Sequence, residues 1–184
     1  MPLFLSTVVQ AEVIDRIVAV VEGHIITLSD LRQEREILTR FGEPDREDKV
    51  LTRELIDNYL MERQIDSAGI EVSDAEVDAG LQKSVSVGEP PSKALRDAVR
   101  RRIRMQKFVD IRFRQLIRPT DDDVRKYYDD VFVPEARARG LNPVPRLDQV
   151  ADLVRGNVIQ EGLNHEIEVW LEGIRQRSSI EIFE

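Results

Sequence analysis

The chain has 184 residues, of which 34% are charged, 41% apolar and 5% aromatic; its net charge is −8 and it has no cysteine. Without cysteine there is no disulfide-stapled module and no thiolate-ligated zinc or iron–sulfur site. No apolar run in the sequence approaches the ~18–20 residues with which a helix spans a bilayer. The charge comes in blocks. Met1–Pro91 carries 9 basic and 19 acidic residues, Ser92–Arg118 carries 10 and 2, and Pro119–Glu184 carries 8 and 14. A basic block between two acidic ones is either a nucleic-acid footprint or a helix paired with acidic neighbours of its own fold.

Met1–Ala11 (MPLFLSTVVQA) is apolar and uncharged and ends in a small residue, like the back half of a secretory signal peptide. A start placed too far downstream would explain the missing basic region, so export is expected. Glu12–Thr27 is rich in Val and Ile and broken by Glu22-Gly23-His24, which reads as a β-hairpin. Thr27 or Ser29 then caps a helix over Leu28–Arg40, with Asp30 completing a capping box, and Gly42-Glu43-Pro44 ends it. A second helix covers about Arg46–Ala68, with Leu51, Leu55, Ile56, Tyr59, Leu60 and Ile65 as its stripe and Gly69 as C-cap.

Ser73-Asp74-Ala75-Glu76 starts a third helix, running to about Ser84. Ser86–Ser92 is a Pro-Pro loop, and Ser92 caps a long helix to about Ile117. The apolar face of that helix is Leu95, Ala98, Val99, Ile103, Phe108, Val109, Phe113 and Leu116. Thr120 caps a helix over Asp121–Asp130, whose three leading aspartates suit the positive end of the helix dipole. Val131–Arg146 reads as irregular because Pro134, Gly140, Pro143 and Pro145 interrupt it. A last long helix runs from Leu147 to about Arg177, striped by Val150, Leu153, Val154, Val158, Ile159, Leu163, Ile167, Trp170, Leu171 and Ile174. Ile180–Phe183 alternates as a strand, whose natural partner is the N-terminal hairpin. The expected fold is mainly α, one domain over 12–184, with a small sheet joining both chain ends.

Reactive chemistry is sparse. His24 and His165 are the two imidazoles, and neither has the spacing of a metal or catalytic motif. No nucleophile elbow, phosphate-binding loop or dinucleotide fingerprint is present. Asp121-Asp122-Asp123 lacks the spacing and glycine of a calcium loop. Arg100-Arg101-Arg102 and Arg104 are the sharpest charge feature. They share a helix with a continuous apolar face and lack an aromatic platform, so an ion-paired face is expected rather than a phosphate contact. Tyr127, Tyr128, Phe132 and Trp170 are the aromatic candidates for a peptide-binding surface, although rings on helical stripes ordinarily pack inward.

Several stretches together resemble the SurA-type periplasmic chaperones and the related parvulin-containing foldases. These are VIDRIVAVVEGHIITLSDL (Val13–Leu31), ELIDNYLMERQIDSAGIEVSDAEVD (Glu54–Asp78), RPTDDDVRKYYDD (Arg118–Asp130) and EIEVWLEGIRQRSSIEIFE (Glu166–Glu184). Members commonly carry parvulin domains between the Tyr-Tyr segment and the final helix. Here only the 16 residues of Val131–Arg146 lie there, far too few for such a domain, and its paired histidines have no counterpart. The resemblance therefore implies the chaperone core alone, without prolyl isomerase activity. It implies a non-catalytic, ATP-independent holdase in the periplasm, with no cofactor and no metal. Its partners would be unfolded or extended polypeptide clients, including outer-membrane-type proteins, lying in a groove between helices or added to a sheet edge. Nucleic-acid binding and stable membrane insertion are not expected. The alternatives are an isomerase relative with residual activity and an assembly subunit with one dedicated partner.

Overall fold

The structure, a computed structural model, describes residues 15–84 and 91–183. The signal-like segment 1–11 and all but the end of the expected Ser86–Ser92 loop lie outside the described residues. The fold is mainly helical with one small antiparallel sheet. The chain divides into two compact units: Met1–Ile56 with Ser179–Glu184, and Asp57–Ser178.

The first unit is built on β1 (Ile17–Val21), β2 (His24–Thr27) and α1 (Leu28–Arg40), with the opening turns of α2 (Asp48–Ser67). Glu22 and Gly23 both have positive φ, 53° and 81°, the signature of a two-residue hairpin turn whose twist matches the strands. His24 was expected in that turn; it pairs with Val21 as the first residue of β2. The last strand, β3 (Ile180–Ile182), adds to the free side of β1 in the order β2-β1-β3, joining the two ends of the chain as the alternating pattern implies. Glu22 tightens this junction: its N–H donates to the Ser179 carbonyl at 2.8 Å, and its carboxylate accepts from the Ser179 N–H at 2.7 Å. Val18, Ala19, Val21, Ile26, Leu31, Ile37, Leu38, Leu51 and Ile56 are buried here. Each large side chain among them contributes ~1.5–3 kcal/mol of transfer free energy.

The second unit comprises the rest of α2, then α3 (Asp74–Ser84), α4 (Lys93–Arg112), α5 (Asp121–Tyr127), α6 (Val133–Ala138) and α7 (Leu147–Arg175). Among the described residues, three helices start with the same hydroxyl–carboxylate device: Thr27 with Asp30, Ser73 with Glu76, and Thr120 with Asp123. In each, the hydroxyl accepts from the N–H three residues on while that residue's carboxylate accepts from the cap N–H. Gly80 lets α3 approach α4 closely, because a Cβ there would lie 2.8 Å from Val99 Cγ1. Ile65, Phe108, Phe113 and Leu163 form a buried cluster flanked by Met105, Val109, Ile117, Ile159, Ile167 and Trp170.

Three expectations need correction. Helix α4 stops at Arg112 and gives way to a 3-10 turn over Arg114–Leu116, which leaves Leu116 exposed. The segment after Asp130 is not irregular throughout. A π-helical turn over Tyr128–Phe132 carries the chain from α5 directly into α6, and Pro134 lies in the first turn of α6. Phe132 and Val133 ahead of it keep helical φ/ψ, and the Val133 N–H donates to the Tyr128 carbonyl, so the helical path runs through to the proline. Leu153, placed on the apolar stripe of α7, is exposed.

Candidate functional site

Chain reversal after α6 makes a concave feature in the second unit. Gly140, with φ 80°, turns the chain, and its N–H donates to the Arg137 carbonyl at 2.9 Å while the Leu141 N–H donates to Ala136 at 3.0 Å. The segment Asn142–Pro145 then returns alongside the π turn, where the Tyr128 hydroxyl donates to the Pro145 carbonyl at 2.8 Å. Between them opens a cleft of about 620 Å³ lined by Tyr128, Val133, Arg137, Gly140, Leu141, Asn142, Pro143 and Val144. Its volume is that of a small-ligand site. Leu141 on its wall is 49% exposed, a large apolar side chain held at the surface.

The four aromatic candidates do not form one surface. Tyr128 lines the cleft and stacks on Phe132, with centroids 5.6 Å apart and planes 19° from parallel. Tyr127, one residue earlier on α5, is half-buried. Trp170 belongs to a different cluster: its ring lies 5.3 Å from Phe108 and 5.6 Å from Phe113, and the Arg112 guanidinium lies 5.5 Å from its centroid. The π turn brings Tyr128 and Phe132 together, because it sets residues four apart along one face of the helical path. The remaining cleft residues, Val133, Arg137, Leu141 and Val144, were not singled out from sequence. Their signal is faint: single apolar residues spaced between prolines and a glycine, in a stretch that offers no periodicity.

The basic helix has a different fate. Along α4, Arg96 pairs with Asp78 at 2.7 Å and Arg100 with Asp74 at 2.6 Å. Arg104 pairs with Asp66 and also donates to the Ile70 carbonyl at 3.2 Å. As the arginines advance by four, the partners on α3 and the link before it recede by four, as two antiparallel helices require. Lys107 donates to the Glu71 carbonyl at 2.9 Å and pairs with Glu76 at 2.7 Å. That lysine, with the Ser73 cap, brings the Glu76 carboxyl down to about 2. Arg101 lies 3.8 Å from Glu62, whose carboxyl is raised by burial against the pull of Arg101 and Arg104.

The other titratable features are local. Among the described residues, no group of three or more His, Asp or Glu side chains is placed to hold a metal ion. Asp123 is lowered by the Thr120 hydroxyl and N–H, and Asp121 pairs with Arg155 at 2.6 Å, so these aspartates serve the start of α5. His165 is exposed on α7. No described helix is long and apolar enough to cross a membrane. No protein-family model matches the chain, and neither does any curated protein.

Proposed function

We propose that this chain is the helical core of a SurA-type holdase, binding unfolded or outer-membrane-type polypeptides in the periplasm without ATP and without catalysing a reaction. The observation that carries this reading is the cleft between α6 and the Asn142–Pro145 return. It is an open concavity of mixed polar and apolar lining, with an exposed leucine on its wall and a stacked aromatic pair at its side. Transient capture of an unfolded chain needs apolar surface set among charge, and no reactive group. The pairing of Arg96, Arg100, Arg104 and Lys107 with carboxylates of the same chain also favours a polypeptide ligand over a phosphate backbone. The motif order from Val13 to Glu184 supports the family, and the apolar segment Met1–Ala11 supports export.

The test is a binding measurement on a client. A fluorescently labelled outer-membrane-type β-barrel polypeptide, unfolded in urea, is diluted into buffer containing the purified protein and no nucleotide. A soluble complex near one-to-one is expected for the unfolded polypeptide and none for the folded barrel. Failure to form a complex with the unfolded client, or equal binding of the folded one, contradicts the proposal. Recovery of the protein in the periplasmic fraction of the cell that makes it tests export.

A further inference from the structure

The walls of the cleft carry more information than its apolarity. Of the residues that line it, Arg137 is the charged one, and no acidic residue joins it. The neighbouring arginines of this segment are paired, Arg139 with Glu135 at 3.2 Å and Arg146 with Asp148 at 3.3 Å. Among the described residues Arg137 has no side-chain partner. A guanidinium presents five donors in a planar fork that matches a carboxylate bidentately. The Asn142 carboxamide, also on the wall, offers a further donor. Tyr128, Val133, Leu141, Pro143 and Val144 supply an apolar body beside this one cation. A phosphate-rich polymer would call for a row of cations. One cation beside one apolar cleft suits one anionic group attached to one apolar side chain.

We infer that the cleft takes the carboxyl-terminal end of an extended polypeptide, with the α-carboxylate on Arg137 and the last apolar or aromatic side chain in the cleft. This rests on the polypeptide-binding reading above and narrows it to chain ends. A volume of about 620 Å³ accommodates a terminal pair or trio of residues rather than a long segment. The test uses fluorescently labelled eight-residue peptides ending in Leu or Phe, each prepared as the free acid and as the C-terminal amide. Their anisotropy is titrated with the whole protein at 0.15 M salt. The free acid is expected to bind at least ten-fold tighter than the amide. Arg137→Gln is expected to abolish that preference, bringing acid and amide to the same affinity, and Arg137→Lys to retain part of it. Arg137 is exposed, so these variants fold. Equal binding of acid and amide, or a preference that survives Arg137→Gln, overturns the inference. The same preparations are assayed for holding the unfolded barrel polypeptide. A protein that holds the client yet shows no acid preference loses only the terminus reading, whereas one that holds no client loses the chaperone reading.

Discussion

The ion pair between Arg175 on α7 and Asp57 on α2 offers the sharpest test of how the second unit is held together. Arg175 Nε lies 2.7 Å from Asp57 Oδ1 and Nη2 lies 2.6 Å from Oδ2, a bidentate fork bridging residues 118 apart in sequence. The two side chains are 27% and 17% exposed, so the pair sits between the surface and the interior. Exposed pairs contribute ~0–1 kcal/mol, while breaking a buried one costs ~3–5 kcal/mol. Asp57→Asn keeps an acceptor for Nε but removes the charge and the second acceptor, so the loss expected is ~2 kcal/mol. For a chain of this size that corresponds to a fall in Tm of ~4–8 °C. Glu168→Gln is the control, because Glu168 meets the same guanidinium at 2.9 Å but is 66% exposed. Its loss is expected to stay below ~0.5 kcal/mol. Urea denaturation followed by circular dichroism reads both, with the midpoint shifting and the slope unchanged. A loss below ~0.5 kcal/mol for Asp57→Asn, or equal losses for the two variants, would refute the reasoning.

Two further predictions concern packing and pH. Gly156, mid-helix in α7, has open space where a Cβ would go, so Gly156→Ala should stabilise by ~0.5–1 kcal/mol. At Gly80 the same change gains helix propensity but drives a methyl to 2.8 Å from the buried, β-branched Val99, so a net loss of ~1 kcal/mol is expected. Thermal melts that rank the two glycine variants alike would contradict the close α3–α4 approach. Glu76, lowered from 4.5 to about 2 by Lys107 and the Ser73 cap, stabilises the fold above pH 4.5. That contribution falls away as pH drops from about 4.5 toward 2. In Glu76→Gln the acid-unfolding curve should flatten across that interval; an unchanged curve would place the lowering elsewhere.

Local chemistry made much of this fold legible in the sequence. Glu22-Gly23 marks the hairpin because a two-residue turn needs positive φ, and the Thr/Ser-x-x-Asp/Glu starts mark three helices because they satisfy orphan N–H groups. The basic block pairs with acidic neighbours because four-residue spacing puts Arg96, Arg100 and Arg104 on one face. What the sequence hid depends on tertiary placement. Pro134 reads as a breaker, yet the π turn over Tyr128–Phe132 leads into α6 with helical φ/ψ, so the helical path continues past Val131. Periodicity assigns Leu116 and Leu153 to apolar stripes but does not say where a neighbouring element ends, and both are exposed. Tyr128 and Trp170 look equivalent as aromatic residues on helices; one lines a cleft and the other packs against Phe108 and Phe113. Arg137 carries no sequence signal at all, because its distinction is the lack of an acidic neighbour in space.

The most direct test of the proposed holdase is light scattering. An outer-membrane-type β-barrel polypeptide is diluted from urea with increasing amounts of the protein and no ATP. Suppression of aggregation is predicted to approach completion near equimolar protein, and to weaken when Leu141→Asp places a charge on the cleft wall. Unchanged scattering in the presence of the folded protein would contradict the holdase, and full suppression by Leu141→Asp would contradict its assignment to this cleft.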